Sequence, residues 1–298
     1  MQFTTPIKDY GHTFLLNEDD NILSLGSCYA QVIGQRMAER KLHVLLNPMG
    51  MLYNPRSIFQ TIDTAMKVAN GQTTAQNAAG SMVFEAADQR WYCWLASSKI
   101  SGKNREECIG NMAAALEETS RMLISLDVLM LTFGTDHYYT TTLQEGKEVV
   151  VANCHKMPAN MFCEKTMTTE DIAGIFDCCL RQLISLRPKL RVIVTISPYR
   201  YLKYGLHNSQ LSKSRLLLAT NTIANHYQQV HYFPAYEIMN DELRDYRFYA
   251  ADMVHPSDVA EQYIWQQFCT NYMDTQMQML MAQREKELKT LAHKPINN

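Results

Sequence analysis

Five short apolar runs punctuate the chain: 22–26 (ILSLG), 42–46 (LHVLL), 127–133 (DVLMLTF), 191–196 (RVIVTI) and 230–233 (VHYF). They are too short for helices and apolar on nearly every position, the pattern of strands buried on both faces. Between them apolar residues return at helical spacing, which predicts helices over 28–40, 55–69, 104–125, 168–186, 210–228 and 256–290. Pro55 suits a first helical turn. Thr168 or Thr169 suits a cap, with Glu170 and Asp171 in the turn that follows. This alternation predicts a mostly parallel sheet with helices on its faces.

Two stretches break the rhythm. SMVFEAADQRWYCWL (81–95) reads as two strands around a polar turn, and YYTTTLQEGKEVVVANC (138–154) as a second hairpin turning at Glu145-Gly146-Lys147. Both are expected as insertions near the strand ends, where an α/β fold carries its site. The polar stretch GQTTAQNAA reads as a loop. From Gln276 to Asn298 charge dominates, which predicts a solvated helix that frays; the chain divides into a domain over 1–270 and a charged helical tail over 271–298.

Composition narrows the function classes. The 298 residues hold 28 Lys+Arg against 30 Asp+Glu, a net charge of −2, so no basic excess exists to neutralise nucleic acid or an anionic membrane surface. With 46% hydrophobic residues the chain can bury a sizeable core. The first twenty residues lack a basic start and an apolar core, so no export signal is read and a cytoplasmic setting is expected. The most apolar stretch, Met122 to Phe133, is broken by Ser125 and Asp127 and falls short of the roughly 18 apolar residues of a membrane span; it reads as a buried strand. The eight cysteines are scattered, with no CxxC pair, and are expected as free thiols rather than disulfides or zinc ligands.

The strongest local signal is Gly26-Ser27-Cys28-Tyr29-Ala30, where an apolar strand ends and a helix begins. Such a turn exposes a nucleophile at the sheet edge, and the helix N–H groups favour an anion there. The same residues also suit a tight turn, a cap and a packed thiol. A nucleophile needs a base oriented by a third group. Asp-x-x-His occurs at Asp9/His12 and Asp252/His255, against about 0.4 occurrences expected by chance, so placement has to decide. Asp9/His12 precedes every strand and reads as incidental. Asp252/His255 follows the last strand and precedes Pro256-Ser257-Asp258, a helix start, where Asp252 is able to fix the tautomer of His255.

At this point the sequence resembles the GSCFA-domain proteins, with Tyr29 in place of the usual Phe, and through them is similar to the SGNH/GDSL hydrolase superfamily. Asn47 to Pro55, Thr132 to Thr135, Asn153 to Lys156, Thr195 to Arg200, Ser212 to Ser214 and Tyr232 to Pro256 look like further family blocks, spread over roughly 20–270. The resemblance implies a three-layer, flavodoxin-like α/β fold with a hydrolase-type site at the C-terminal strand edge. It implies oxyanion donors from Gly50 in a second block and an Asn in a third. Here the third block reads Gly134-Thr135-Asp136-His137 and lacks that Asn; Thr135 or Asn153 is the substitute to look for. Aligning the glycines makes Cys28 the nucleophile and aligning the serines makes it Ser27; the easier ionisation of a thiol favours Cys28.

The expected function is an esterase or acyltransferase acting on a small-molecule or carbohydrate acyl ester, an acetylated carbohydrate being one candidate, with no metal and no organic cofactor. Cys28 or Ser27 attacks, His255 shuttles the proton, Asp252 orients it, and Gly50 with N–H groups near 27–28 holds the oxyanion. Asn54, Gly134, Thr135, Asn153, His155 and Arg200 are the remaining oxyanion or substrate-binding candidates. For Asn153 and His155 taken singly a cap-and-turn role at the hairpin end is favoured over pocket lining, the cluster Asn153 to Lys156 with His137 also suits a metal, and Arg200 suits either an anionic substrate group or a partner such as Asp245. The charged run Asp241 to Arg247 is expected as a solvated network supporting Asp252. The alternative expectation is a non-catalytic binding or carbohydrate-assembly module on the same fold.

Overall fold

The computed structural model describes residues 5–7, 14–143 and 146–292. Asp9, His12, Glu145 and the chain after 292 lie outside them. In order, the elements are β1 (Ile22–Gly26), α1 (Cys28–Glu39), β2 (Val44–Leu46), α2 (Pro55–Ala69), α3 (Ala75–Gly80), β3 (Val83–Glu85), β4 (Trp91–Cys93), β5 (Ser101–Gly102) and α4 (Arg105–Ser125). There follow β6 (Val128–Phe133), β7 (His137–Thr142), β8 (Glu148–Val151), β9 (Phe162–Thr166), α5 (Thr169–Leu186), β10 (Arg191–Ile196), α6 (Gly205–His226), β11 (Val230–Tyr232), α7 (Ala235–Glu237), α8 (Asp258–Tyr272) and α9 (Thr275–Ala292).

All five apolar runs become strands of one parallel sheet in the order β11-β10-β6-β1-β2, with Ile22 opposite both Val44 and Val128. Counting only these strands the order is 2-1-3-4-5, the flavodoxin-like arrangement. The two-residue period of a strand divides the core. Leu23, Leu25, Leu129, Leu131, Phe133, Val192, Val194 and Ile196 face α2, α5 and α6. Ile22, Val128, Met130 and Ile193 face α1, α8 and α9. The result is a three-layer sandwich. Among the described residues no helix is long and apolar enough to cross a membrane.

The insertions are larger than the sequence suggests. β3-β4-β5 form one antiparallel sheet and β8-β7-β9 another. The third strand of the latter, β9, was not expected, because Phe162–Thr166 reads as mixed polar sequence and pairs with β7 across a long loop. The loop GQTTAQNAA contains α3, which buries only Ala75 and Ala79 and so carries no visible stripe. Met122–Phe133 is the end of α4 followed by β6 rather than one strand. The last predicted helix is two, broken at Met273; the Asp274 carboxylate then accepts the Met277 N–H at 2.7 Å and starts α9. The charged tail does not float. Met277 and Met281 are buried with Trp265, and Glu285 pairs with the buried Arg40 at 2.8 Å.

Candidate active site

β1 must stop at Gly26. Its φ of +149° lies outside the range of L side chains, and an added Cβ would sit 2.3 Å from Thr132 O. The Gly26 N–H is donated to Asn47 Oδ1 at 2.9 Å and the Ser27 N–H to Thr132 O at 3.3 Å, so the strand end is pinned on both sides. α1 then begins with Ser27 in the cap position, but the Ser27 hydroxyl caps nothing. It is buried and has no hydrogen-bond partner among the described residues. The first-turn N–H groups of α1 are therefore left without a side-chain acceptor.

β1 and β6 are neighbours whose connections leave in opposite directions, and a crevice opens at the carboxyl ends of strands arranged this way. A cavity of about 430 Å³ lies there. Ser27 and Cys28 reach it from the end of β1, Asn54 from the loop after β2, Gly134 and Thr135 from the end of β6, Arg200 from the loop after β10, and His255 from the loop before α8. His137 and Tyr139 of the β7 insertion close one wall. Cys28 is half-buried, with Sγ 3.7 Å from Tyr53 Oη. Burial, and the thiol beside it, push the Tyr53 phenol well above its usual range, so it stays protonated and able to donate.

Asp252 and His255 form a tight local unit. The Asp252 carboxylate accepts the N–H groups of His255 at 3.0 Å and Val254 at 2.9 Å, and its second oxygen meets His255 Nδ1 at 2.5 Å. Those bonds, the His255 N–H first, hold Asp252 down at about 2. Their contribution to loop order is complete above about pH 4 and is lost as pH falls through about 2, because a depressed carboxylate stabilises only while ionised. Nε2 of His255 has no partner among the described residues, and the ring meets Tyr199 edge-on at 4.7 Å. Neither Cys28 nor Ser27 is hydrogen-bonded to His255.

The expected oxyanion donors are redistributed. Gly50 lies off the cavity and donates its N–H to Asn47 O at 2.7 Å; its φ of +74° and the Ser97 hydroxyl against its α-carbon explain the glycine as a turn. Gly134 and Thr135 line the cavity, yet both donate their N–H groups to Tyr53 O, at 2.8 and 3.0 Å. Thr135 Oγ1 is engaged with Ser212 at 3.3 Å. Asn153 accepts the His155 N–H at 2.7 Å in a turn, away from the cavity. His155 is buried between Ser98 and Cys93 O, and burial pushes it down to about 4, which keeps it neutral. It shares no partner with His137, and among the described residues no group of three His, Cys, Asp or Glu is placed to hold a metal ion. Asn54 remains: its Oδ1 accepts Ser57 N–H at 2.8 Å and caps α2, which leaves Nδ2 without an acceptor among the described residues.

Arg200 does not pair with Asp245, whose carboxylate accepts the Arg247 N–H. It lies instead over the Tyr249 ring at 3.9 Å and the Tyr246 ring at 5.0 Å. The charged run 241–247 makes local pairs such as Arg244–Asp241 at 2.6 Å, and among the described residues none of its side chains bonds Asp252.

Lys213 is the residue that sequence reasoning left without a role. It is 2% exposed, and Nζ donates to Gly134 O at 2.7 Å and Ser197 O at 2.8 Å, tying the ends of β6 and β10 together in the cavity lining. The signal was present: Lys213 stands on the same helical stripe as Leu216, Ala219 and Ile223, where a charge is out of place. Burial pushes it down to about 7. The unfolded chain, with lysine near 10.4, then holds more protons between these values, so stability rises as pH goes from about 7 to about 10. Urea midpoints across that range should show this rise in the wild type and a flatter curve in Lys213→Met; parallel curves would remove the charge assignment.

No curated protein matches the chain. The model of the GSCFA family matches residues 21–268, from β1 into α8 and across every strand that builds the cavity. The chain belongs to the GSCFA family.

Proposed function

We propose that this protein is an esterase or acyltransferase of SGNH type, acting on a small-molecule or carbohydrate acyl ester. The observation that carries the reading is the convergence of Cys28, Ser27 and an Asp252-anchored His255 on one cavity at the sheet's switch point. Cys28 is the nucleophile in this reading, because its thiol is accessible and adjoins a phenol donor while the Ser27 hydroxyl is enclosed. Sγ attacks the acyl carbonyl as His255 takes its proton; the oxyanion lies against the α1 first-turn N–H groups and Asn54 Nδ2. The alcohol leaves with the proton from His255, and a thioester remains. Water or an acceptor hydroxyl then attacks as His255 takes its proton; the thioester C–S bond breaks, the acid or the new ester leaves, and His255 returns the proton to Sγ to restore the thiol. No metal or organic cofactor enters these steps. Eight unpaired cysteines support a reducing, cytoplasmic setting.

A binding or carbohydrate-assembly module is the second reading, favoured by the commitment of the Gly134 and Thr135 N–H groups to Tyr53 O. Mass spectrometry after mixing with an activated acetate ester separates the two. The enzyme reading expects an acetyl group on Cys28, or on Ser27, that is absent in His255→Ala. No site-specific adduct across several acyl donors and short quench times moves the protein to the second reading.

A further inference from the structure

A second, smaller cavity of about 110 Å³ adjoins the first and shares Tyr199, Arg200 and Lys213 with it. Its lining is rich in donors and, among the described residues, holds no aspartate or glutamate. Arg200 has no carboxylate partner among the described residues; its guanidinium is held by two tyrosine rings and one long contact, 3.5 Å, to Met253 O. Lys213 is buried against two carbonyls and also lacks a carboxylate. Of the two, Lys213 is the buried one, and a buried cation is ordinarily paired, since taking a charge out of water is costly unless an opposite charge offsets it; Arg200 is half-buried and presents its guanidinium to the cavity. Ser209 and Gln210 add a hydroxyl and an amide at the same place: Ser209 Oγ only accepts, from Tyr201 N, and Gln210 uses only its oxygen, on Tyr236.

We propose that this side cavity is an anion subsite, which seats a carboxylate or phosphate group of the substrate between Arg200 and Lys213 while the acyl bond lies toward Cys28. The anion supplies the counter-charge that both side chains lack. Arg200 meets two of its oxygens with the planar fork that suits carboxylate and phosphate alike, and Lys213 acts as a point charge behind it. The assignment of the reacting end rests on the acyl-transfer reading; the subsite itself does not, because it is defined by binding.

The test is calorimetric titration of the full chain with benzoate, its neutral isostere benzamide, and phenyl phosphate. Benzoate or phenyl phosphate should bind at least about tenfold more tightly than benzamide, and the stronger of the two names the group. That ratio should collapse in Arg200→Gln and shrink as salt rises from about 0.05 to 0.5 M. Lys213→Met should lower it too, and Arg200→Gln suffices if the lysine variant does not fold. Equal affinity for benzamide, no binding of either anion at about 10 mM, or a preference that survives Arg200→Gln overturns the subsite. An anion preference lost in Arg200→Gln, in a protein that forms no acyl adduct, sinks the ester reading and leaves the subsite standing.

Discussion

His255→Ala is expected to lower kcat/KM on any ester the wild type cleaves by about a hundred- to ten-thousand-fold, the range of a lost general base. Thermal stability should hardly move. The His255 side chain is 47% exposed and touches Asp252 and the edge of Tyr199, so its removal opens no core cavity and strands no buried charge. Asp252 retains its bonds to the backbone N–H groups of Val254 and to that of residue 255, which preserves the loop. The paired measurement is what makes the result informative: a loss of turnover accompanied by a large fall in melting temperature would point to a structural histidine. Full activity in the variant would remove His255 from the chemistry.

Gly26→Ala is expected to cost about 4 kcal/mol of unfolding free energy, near the top of the range for single substitutions. Two causes act together. The backbone at φ +149° is strained for any side chain, and the new methyl would meet backbone atoms of Thr132 at 2.3 and 2.9 Å, in the neighbouring strand of the same sheet. Relief requires β1 and β6 to part where the Ser27 N–H bonds Thr132 O, so Cys28 moves with them. Urea denaturation with the slope compared to wild type checks the figure. A shift of the midpoint within error of wild type would mean that the sheet edge yields locally, and the glycine would lose its claim to fix the nucleophile turn.

Local chemistry explains what was legible. The five central strands were readable because parallel strands buried on both faces are apolar without interruption, and Pro55 and the Thr168 capping box mark their helices in sequence. β9 and α3 were not, because neither buries a regular stripe: one is held by pairing to β7, the other by the packing of two alanines. The split between α8 and α9 was hidden because apolar spacing continues through Met273 and only the Asp274 cap restarts the helix.

The α/β layering, the strand-to-helix turn at Gly26-Ser27-Cys28 and the Asp252/His255 unit are written in the chain locally, since each depends on neighbours within a few residues. Which distant loops meet is a property of the folded sheet. The fold set Gly50, Asn153 and His155 apart from the cavity, brought Asn54 to it, withdrew the Gly134 and Thr135 N–H groups into bonds with Tyr53, and made Lys213 part of the cavity lining. A backbone N–H or a buried charge takes its partner from whatever the fold places beside it. Strand order sets those neighbours, and residues far apart in the chain carry no local mark of the pairing.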